Sequence, residues 1–584
     1  MSNGAGKPKP AFFAAIAVIV LGLVGFAVYR MTAKKKDDPS GSGSGSQFTD
    51  PRKPAGSGAA KPGTAENPDP NAPPLTETKY EWEPVQRLPE VKGTDSYKAL
   101  GTPRVVRFAI NVWAGWAPIV WANQGPEPKK KWKDAKGGEF QVELVLIDDP
   151  VEMRDTVAAG KVHIGWATVD MLPLLVQGLK KDSRTMPRVY QQIDWSNGGD
   201  GIVARDEIKG VGGLRGKTVV LAQNSPSHYF LMNMLLNAGV GLKDVTIRPV
   251  KNAFQAATAF NADKSIAAAV SWAPDIYKLT EKNTGNKMLV STVEANKLIA
   301  DVWFARADFG QANPDIIEGL VRGIFDAVEE LKTDQNKDSV AAMMEKFYNL
   351  KAGTGKAMLG DAHWTNYAEN RDFFLVGSNP TNFERTYDTA YLLYNESKMI
   401  DDKVNFDKIV DFSIIKKLGG EDKYASQKNT YEFKFTPASA ESLNAEKNEI
   451  LNKTVVIKFF PNSNDLFHKV PGPSGGVVLY DGNVEFTIEQ IAKLAGTFGA
   501  ARIVIEGHTD SSMKNAGGDE ALVKTLSLRR ANAVKEALVN RFKMNQNQFS
   551  TAGYGWERPA DPNEPNNHAK NRRVEVKVVP AEAQ

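Results

Sequence analysis

The run AFFAAIAVIVLGLVGFAVY, from Ala11 to Tyr29, contains no charged residue, and it divides the chain into what can sit in lipid and what cannot. As a helix rising about 1.5 Å per residue it spans about 28 Å, close to the roughly 30 Å of a bilayer's hydrocarbon layer. A single transmembrane anchor is expected here. A cleaved leader is the competing reading, but no small-x-small site follows, because the run passes into Tyr29-Arg30-Met31 and then Lys34-Lys35-Lys36. The flanks bear on orientation. Lys7 and Lys9 precede the run and Arg30, Lys34, Lys35 and Lys36 follow it, which by the positive-inside rule favours a cytoplasmic body.

After the run comes DDPSGSGSGSQFTDPRKPAGSGAAKPGTAENPDPNAPPL, rich in Gly, Ser, Pro and Ala and without apolar periodicity. Such a stretch cannot bury enough surface to fold, so residues 37–97 are expected to be a disordered linker. The remainder of a 584-residue chain is too long for one core and should hold several domains. Its net charge of +4 and the lack of a basic stripe interleaved with aromatics argue against a nucleic-acid partner. The chain has no cysteine, which excludes disulfides, thiolate metal sites, a cysteine nucleophile and a lipidated cysteine.

From Val105 onward, strand-like runs (VVRFAINVW, FQVELVLID, VHIGWATV, GIVAR, KTVVLAQ, VTIRPV, AAAVSW) alternate with helical ones such as VEMRDTVAAG. This predicts an α/β domain with mostly parallel sheets over 98–425, its last third mainly helical. No dinucleotide fingerprint, P-loop or HExxH motif occurs there, so neither an enzyme nor a cofactor is indicated. A polar stretch, 426–452, reads as a second linker. Over 453–584, TVVIKFF, ARIVIEG and RRVEVKVV read as strands, while FTIEQIAKLAGTFG and SLRRANAVKEALVNRF read as helices, a small α/β sandwich.

The segments INVWAGWAPIVWAN, VEMRDTVAAGKVHIGWATVDML, GKTVVLAQNSPSHYFL and AAVSWAPDIYKL resemble, in that order, periplasmic substrate-binding proteins of nitrate, sulfonate and taurine ABC-type transporters. The resemblance implies two α/β lobes of the type II kind closing over one small molecule. Ligands of open α/β sheets bind beyond the carboxyl ends of strands. The candidates there are Trp113, Gly115, Trp116, Thr168, Asp170, Asp194, Trp195, Ser225, Ser227, Trp272 and Asp275. Ser225 and Pro226 suit a helix start whose exposed N–H groups favour an anion. Trp113, Trp116, Trp195 and Trp272 are equally compatible with a cage for a quaternary ammonium group, and core packing explains each of them singly. The family and the serine-rich helix start incline the expectation toward an anionic or zwitterionic solute such as a sulfonate, nitrate or phosphate. His163 and His228 have no second histidine nearby and read as structural.

The stretch IEGHTD places His508 between two carboxylates. No neighbouring His or Cys completes a metal set, and Ser511 or Ser512 beside it is too local to make a triad. IEGHTDSS, LSLRRANAVKEAL, GYGWERP and AKNRRVEV together resemble the C-terminal peptidoglycan-binding domain of the OmpA-like family. That resemblance implies that Asp510 and Arg530 clamp the diaminopimelate of a stem peptide, with Asn571 and Arg573 shaping the site. His568 stands where the family often has arginine, and FFPNSND replaces an early F-D pattern. The expectation is therefore a single-pass inner-membrane protein whose body lies in the periplasm, binds a solute, serves an ABC permease and holds the wall. The alternative is a structural linker from membrane to wall whose middle domain has lost or changed its ligand. Peptidoglycan lies outside the inner membrane, so the periplasmic reading overrides the flank charges.

Overall fold

The first lobe carries a seven-stranded sheet. Its strands are β1 (Val105–Ile110), β2 (Trp132–Lys133), β3 (Glu139–Leu146), β4 (Ile164–Thr168) and β5 (Pro187–Ser196), joined later by β11 (Ala300–Arg306) and β12 (Ala362–Trp364), in the spatial order β12-β5-β11-β4-β1-β3-β2. Between β5 and β11 the chain leaves to build the second lobe: β6 (Asp200–Arg205), β7 (Thr218–Ala222), β8 (Thr246–Val250), β9 (Ala268–Trp272) and β10 (Asn286–Ser291), in the order β10-β6-β9-β7-β8. This computed structural model describes residues 75–445, 449–473, 475–515 and 517–581. The run Ala11–Tyr29 lies outside them, and among the described residues no helix is long and apolar enough to cross a membrane.

The sheets are mixed, where mostly parallel ones were expected. β1, β3 and β4 pair in parallel, as do β7, β8 and β9, but β11 enters antiparallel between β4 and β5, and β6 runs antiparallel to both β9 and β10. The reversals of β6 and β11 follow from the connectivity: the chain crosses between lobes after β5 and again after β10, and each of these crossings delivers a strand against the direction of its new sheet. The two crossings are tied together. Thr292 Oγ accepts from Gly198 N at 2.9 Å and pairs with Ser196 Oγ at 2.8 Å, and Ser196 Oγ donates to Asp200 at 2.7 Å.

The end of the expected first linker is ordered along both lobes. Thr76 donates through N and Oγ to Asp275, Glu77 holds Asn252 and Thr258, and Trp82 bridges to Val250 with Arg248 over its ring, all on the second lobe. Then Arg87 pairs with Asp401, and the carbonyls of Pro89 and Asp95 accept from Arg154 and Arg306, all on the first lobe. Leu75, Tyr80 and Trp82 supply apolar surface that is too sparse to register as a periodic pattern. Thr76→Ala removes a hydroxyl donor to a buried carboxylate and is expected to cost about 1.5–3 kcal/mol, read as a lower thermal midpoint.

The second expected linker is ordered too. Thr430 and Tyr431 donate to Glu369, Tyr431 stacks on His363 at 3.9 Å, and the short helix Ala440–Ala445 packs on the last domain. That domain has a four-stranded sheet, β13 (Leu451–Val455), β18 (Val574–Pro580), β16 (Ala501–Gly507) and β17 (Phe549–Gly553), in that spatial order, plus a hairpin of β14 (Lys469–Pro471) and β15 (Val477–Leu479). TVVIKFF does not continue as a strand, because the ladder ends where β18 begins, with Val574 opposite Val455. The helix Val484–Thr497 sits against the two lobes. Glu489 pairs with Arg385 of the first lobe, Lys453 reaches Asn237 of the second, and Lys297, on the second crossing, donates to the Thr497 carbonyl.

Candidate functional sites

Between the lobes the expected residues divide into two groups. Trp116 is core: it is fully buried and its indole N–H donates to Asn111 at 2.7 Å. Trp195 packs edge-on against Phe373. Asp275 is occupied by Thr76 and Lys278. Ser225 Oγ donates to the Ala222 carbonyl and makes no side-chain cap, while Ser227 Oγ and Asn224 Oδ1 at the same helix start are buried without a hydrogen-bond partner. His163 accepts from Arg107 N and stacks on Phe309, and His228 accepts from Asn224 N, both in structural roles.

The second group converges. Asp301 of β11 lies directly opposite Thr168 of β4 on one side and Asp194 of β5 on the other, so three side chains share one face in a row. Asp194 accepts from the Trp113 indole at 3.2 Å, and Gly115 is needed because a Cβ there would overlap that carboxylate. Asp170, two residues beyond Thr168, faces the second lobe, where its charge adds to burial in raising the phenol of Tyr229. Asp200, at the first crossing, stands opposite Trp272 in the β6–β9 ladder. Asp361 accepts from the Tyr277 hydroxyl, a bond from one lobe to the other. The expectation included Asp170 and Asp194 and missed Asp200, Asp301 and Asp361. The signal available for those was an acid opening or closing an otherwise apolar strand, as in GGDGIVA and IADVWFA.

Burial holds all five carboxyls above their usual range: Asp170 and Asp361 to about 7, Asp200 to about 6, Asp194 to about 8 with the charge of Asp200 adding to burial, and Asp301 well upward because burial is joined by the charge of Asp194 opposite it. Tyr277→Phe removes the bond between lobes and is expected to cost about 0.5–1.5 kcal/mol of closure, read by small-angle scattering as a larger open population. Elsewhere, an open groove of about 530 Å³ lies between the first lobe and the last domain, lined by Lys297, Asp372, Pro380, Glu432 and Gly496.

In the last domain, glycines bring a helix onto the sheet. A Cβ at Gly507 or Gly553 would strike the backbone of Glu520–Phe542 near Ser527, so that helix lies directly on β16 and β17. Arg530, one turn beyond Ser527, is thereby brought near Asp510 in the loop after β16, close enough for the carboxylate to oppose the lowering of the guanidinium's pKa by burial and by Arg572. Asp510 accepts from Ser512 N at 2.8 Å and lies 3.3 Å from Arg572 and 3.5 Å from His568. Arg530 donates to the Ser463 carbonyl, and its guanidinium lies over Phe459. Asn571 and Arg573 are engaged internally, with Ala560 and Pro565 in one case and with Glu575 and Arg558 in the other, and shape the loop from behind. Arg572, beside Asp510 and more exposed than either, was missed because the expectation stopped at its neighbours.

His508 is buried, its ring against Tyr554, with burial and then Arg573 lowering its pKa to about 4. Glu506, His508 and Glu575 gather three potential ligand atoms within 4.8 Å. Lys577, Arg558 and Arg573 already face the two carboxylates, so the group is a buried ion network that supports the loop.

Residues 479–573 match the OmpA family, and residues 137–337 match the family described as NMT1/THI5 like. The chain joins two family modules. Among curated proteins, the outer membrane protein Omp38 of Acinetobacter baumannii is 40% identical over 88 residues, which is 15% of this chain and 23% of that protein. The chain thus spans less than a quarter of that relative's length. Among solved structures, the periplasmic aliphatic sulphonate-binding protein of Escherichia coli is 16% identical, covering 52% of this chain and 96% of its own, with a TM-score of 0.41. The periplasmic nitrate-binding protein of Synechocystis is 14% identical, with coverages of 57% and 92% and a TM-score of 0.41.

Proposed function

We propose that the chain is a solute receptor of the bacterial cell envelope, anchored in the inner membrane by Ala11–Tyr29 and held at the wall by its OmpA-family module. The observation that supports it most is the hinge: two lobes joined by two crossings, with unused polar groups converging between them. Closure over a small molecule would present a changed surface to an ABC permease or a sensor. At the other end, Asp510 and Arg530 offer one anion and one guanidinium, which complement the ammonium and carboxylate at the free end of diaminopimelate. Two weak attachments, to membrane and wall, would hold the receptor by effective concentration.

The test is co-sedimentation of the full chain with purified peptidoglycan whose stem peptide carries either diaminopimelate or lysine. Markedly stronger retention on the first wall than on the second supports the reading, since lysine keeps the amine for Asp510 but lacks the terminal carboxylate for Arg530. Equal retention on both removes the proposed clamp. A second reading, a structural linker, is supported by the strap 75–97 and by the contacts of the helix Val484–Thr497 and its neighbours with both lobes. Tryptophan fluorescence that no solute perturbs would favour it.

A further inference from the structure

The ionisable groups gathered between the lobes are acids, where an anion site would gather cations. Asp170, Asp194, Asp200, Asp301 and Asp361 are all buried, and among the described residues no Lys, Arg or His pairs with any of them. Asp200 is central, since its charge is felt by the other four. Two further observations point to a ligand. Asp170 and Thr168 Oγ, both buried, make no well-formed hydrogen bond to any other residue, the Thr168 hydroxyl being the one side chain close enough to ease the ionisation of Asp170. Aromatic rings stand among the acids: Trp113 on Asp194, Trp272 opposite Asp200 with its indole nitrogen unpartnered, and Trp364 opposite Asp194. The Trp113 ring also lies against Gly199, next to Asp361.

We infer that the cleft takes an organic cation, its ammonium group or groups held by these aspartates and its carbon frame by the tryptophans, an inference that rests on the receptor reading above. Once ionised, these carboxylates attract ammonium and repel nitrate and sulfonate, and tryptophan faces favour cations further. A single metal ion suits the arrangement less, because among the described residues no three of these carboxylates bring oxygens within 4.8 Å of one another. The acids are spread in a row and around it, which matches an elongated molecule. Burial keeps several of them protonated near neutrality, so an entering cation would displace protons, and binding should strengthen with pH.

The experiment is thermal shift and tryptophan fluorescence on the full chain at pH 6 and pH 8, with 1,4-diaminobutane, choline, glycine betaine, methanesulfonate and nitrate as probes. The expected result is a saturable response to 1,4-diaminobutane or choline that tightens at least tenfold at pH 8, with none to the anions. Asp170→Asn should weaken that response at least tenfold while leaving the free protein as stable as before or more so, and Asp361→Asn serves as a second variant. A response to the zwitterion or the anions without the cations overturns the inference and leaves the receptor reading standing. Silence across the whole panel overturns both.

Discussion

Asp301→Asn is expected to raise the thermal midpoint of the chain, and by several degrees more at pH 8 than at pH 5. The reason lies in the β11–β5 ladder, where Asp301 and Asp194 are directly opposite each other and buried. Like charges opposite one another on one face destabilise a sheet pair, and burial penalises each charge separately. Both carboxyls therefore hold their protons in the folded chain well above the pH at which they lose them when unfolded, near 3.9. In that window the folded state binds more protons than the unfolded state, so stability falls as pH rises, by up to about 1.4 kcal/mol per unit for each such group. Asp170, Asp200 and Asp361 add to the same trend, over windows closing at about 7, 6 and 7. Asparagine keeps the shape and cannot ionise, so the variant escapes one share of the penalty, and its advantage grows with pH. Melting curves of both proteins from pH 5 to pH 9 test this. A gain that does not change with pH, or a wild-type chain more stable at pH 8 than at pH 5, rules out the charge argument.

How much of this was legible in the sequence depended on the range of the interaction involved. The alternation of apolar runs marked β1, β3, β4, β6, β7, β8 and β9 because their side chains meet local periodicity. β5 went unmarked, since Gln191, Gln192 and Asp194 are buried within it and break the pattern that burial usually writes. β11 carries Asp301 as its second residue and was missed as well, yet it is the strand that aligns the acids. Register between strands so distant in sequence is fixed by the assembled sheet, and no local signal carries it. The tryptophans show the same limit: Trp113 and Trp272 stand by aspartates, whereas Trp116 and Trp195, also at strand ends, are core. The strap 75–97 was read as linker because its stability comes from hydrogen bonds to a surface built later in the chain. Asp510 and Arg530 were legible because their motif is short and the glycines that bring helix and sheet together belong to the same module.

Asp510→Asn is expected to weaken retention on diaminopimelate-type peptidoglycan by about 10- to 100-fold. A charge-assisted hydrogen bond contributes about 1.5–3 kcal/mol net, and about 1.4 kcal/mol is a tenfold change in affinity. Asparagine is chosen over alanine because its Oδ1 can still accept from Ser512 N, which holds the loop, while the charge that faces Arg572 and His568 is removed. Loss of binding then reports the charge and not a collapsed loop. Arg530→Ala should cost a similar factor at the other end of the ligand, and because the two groups hold different charges of diaminopimelate, their effects should nearly add in the double variant. If instead Asp510 acts only by positioning Arg530, the double variant will be no weaker than Arg530→Ala alone. The wall supplies a further control. On lysine-type stems the arginine has no carboxylate to hold, so Arg530→Ala should change little there while Asp510→Asn still removes the contact to the amine. A loss for Arg530→Ala that is equal on both walls would mean that its bond to the Ser463 carbonyl, and so the fold of the 456–468 loop, is what the side chain serves.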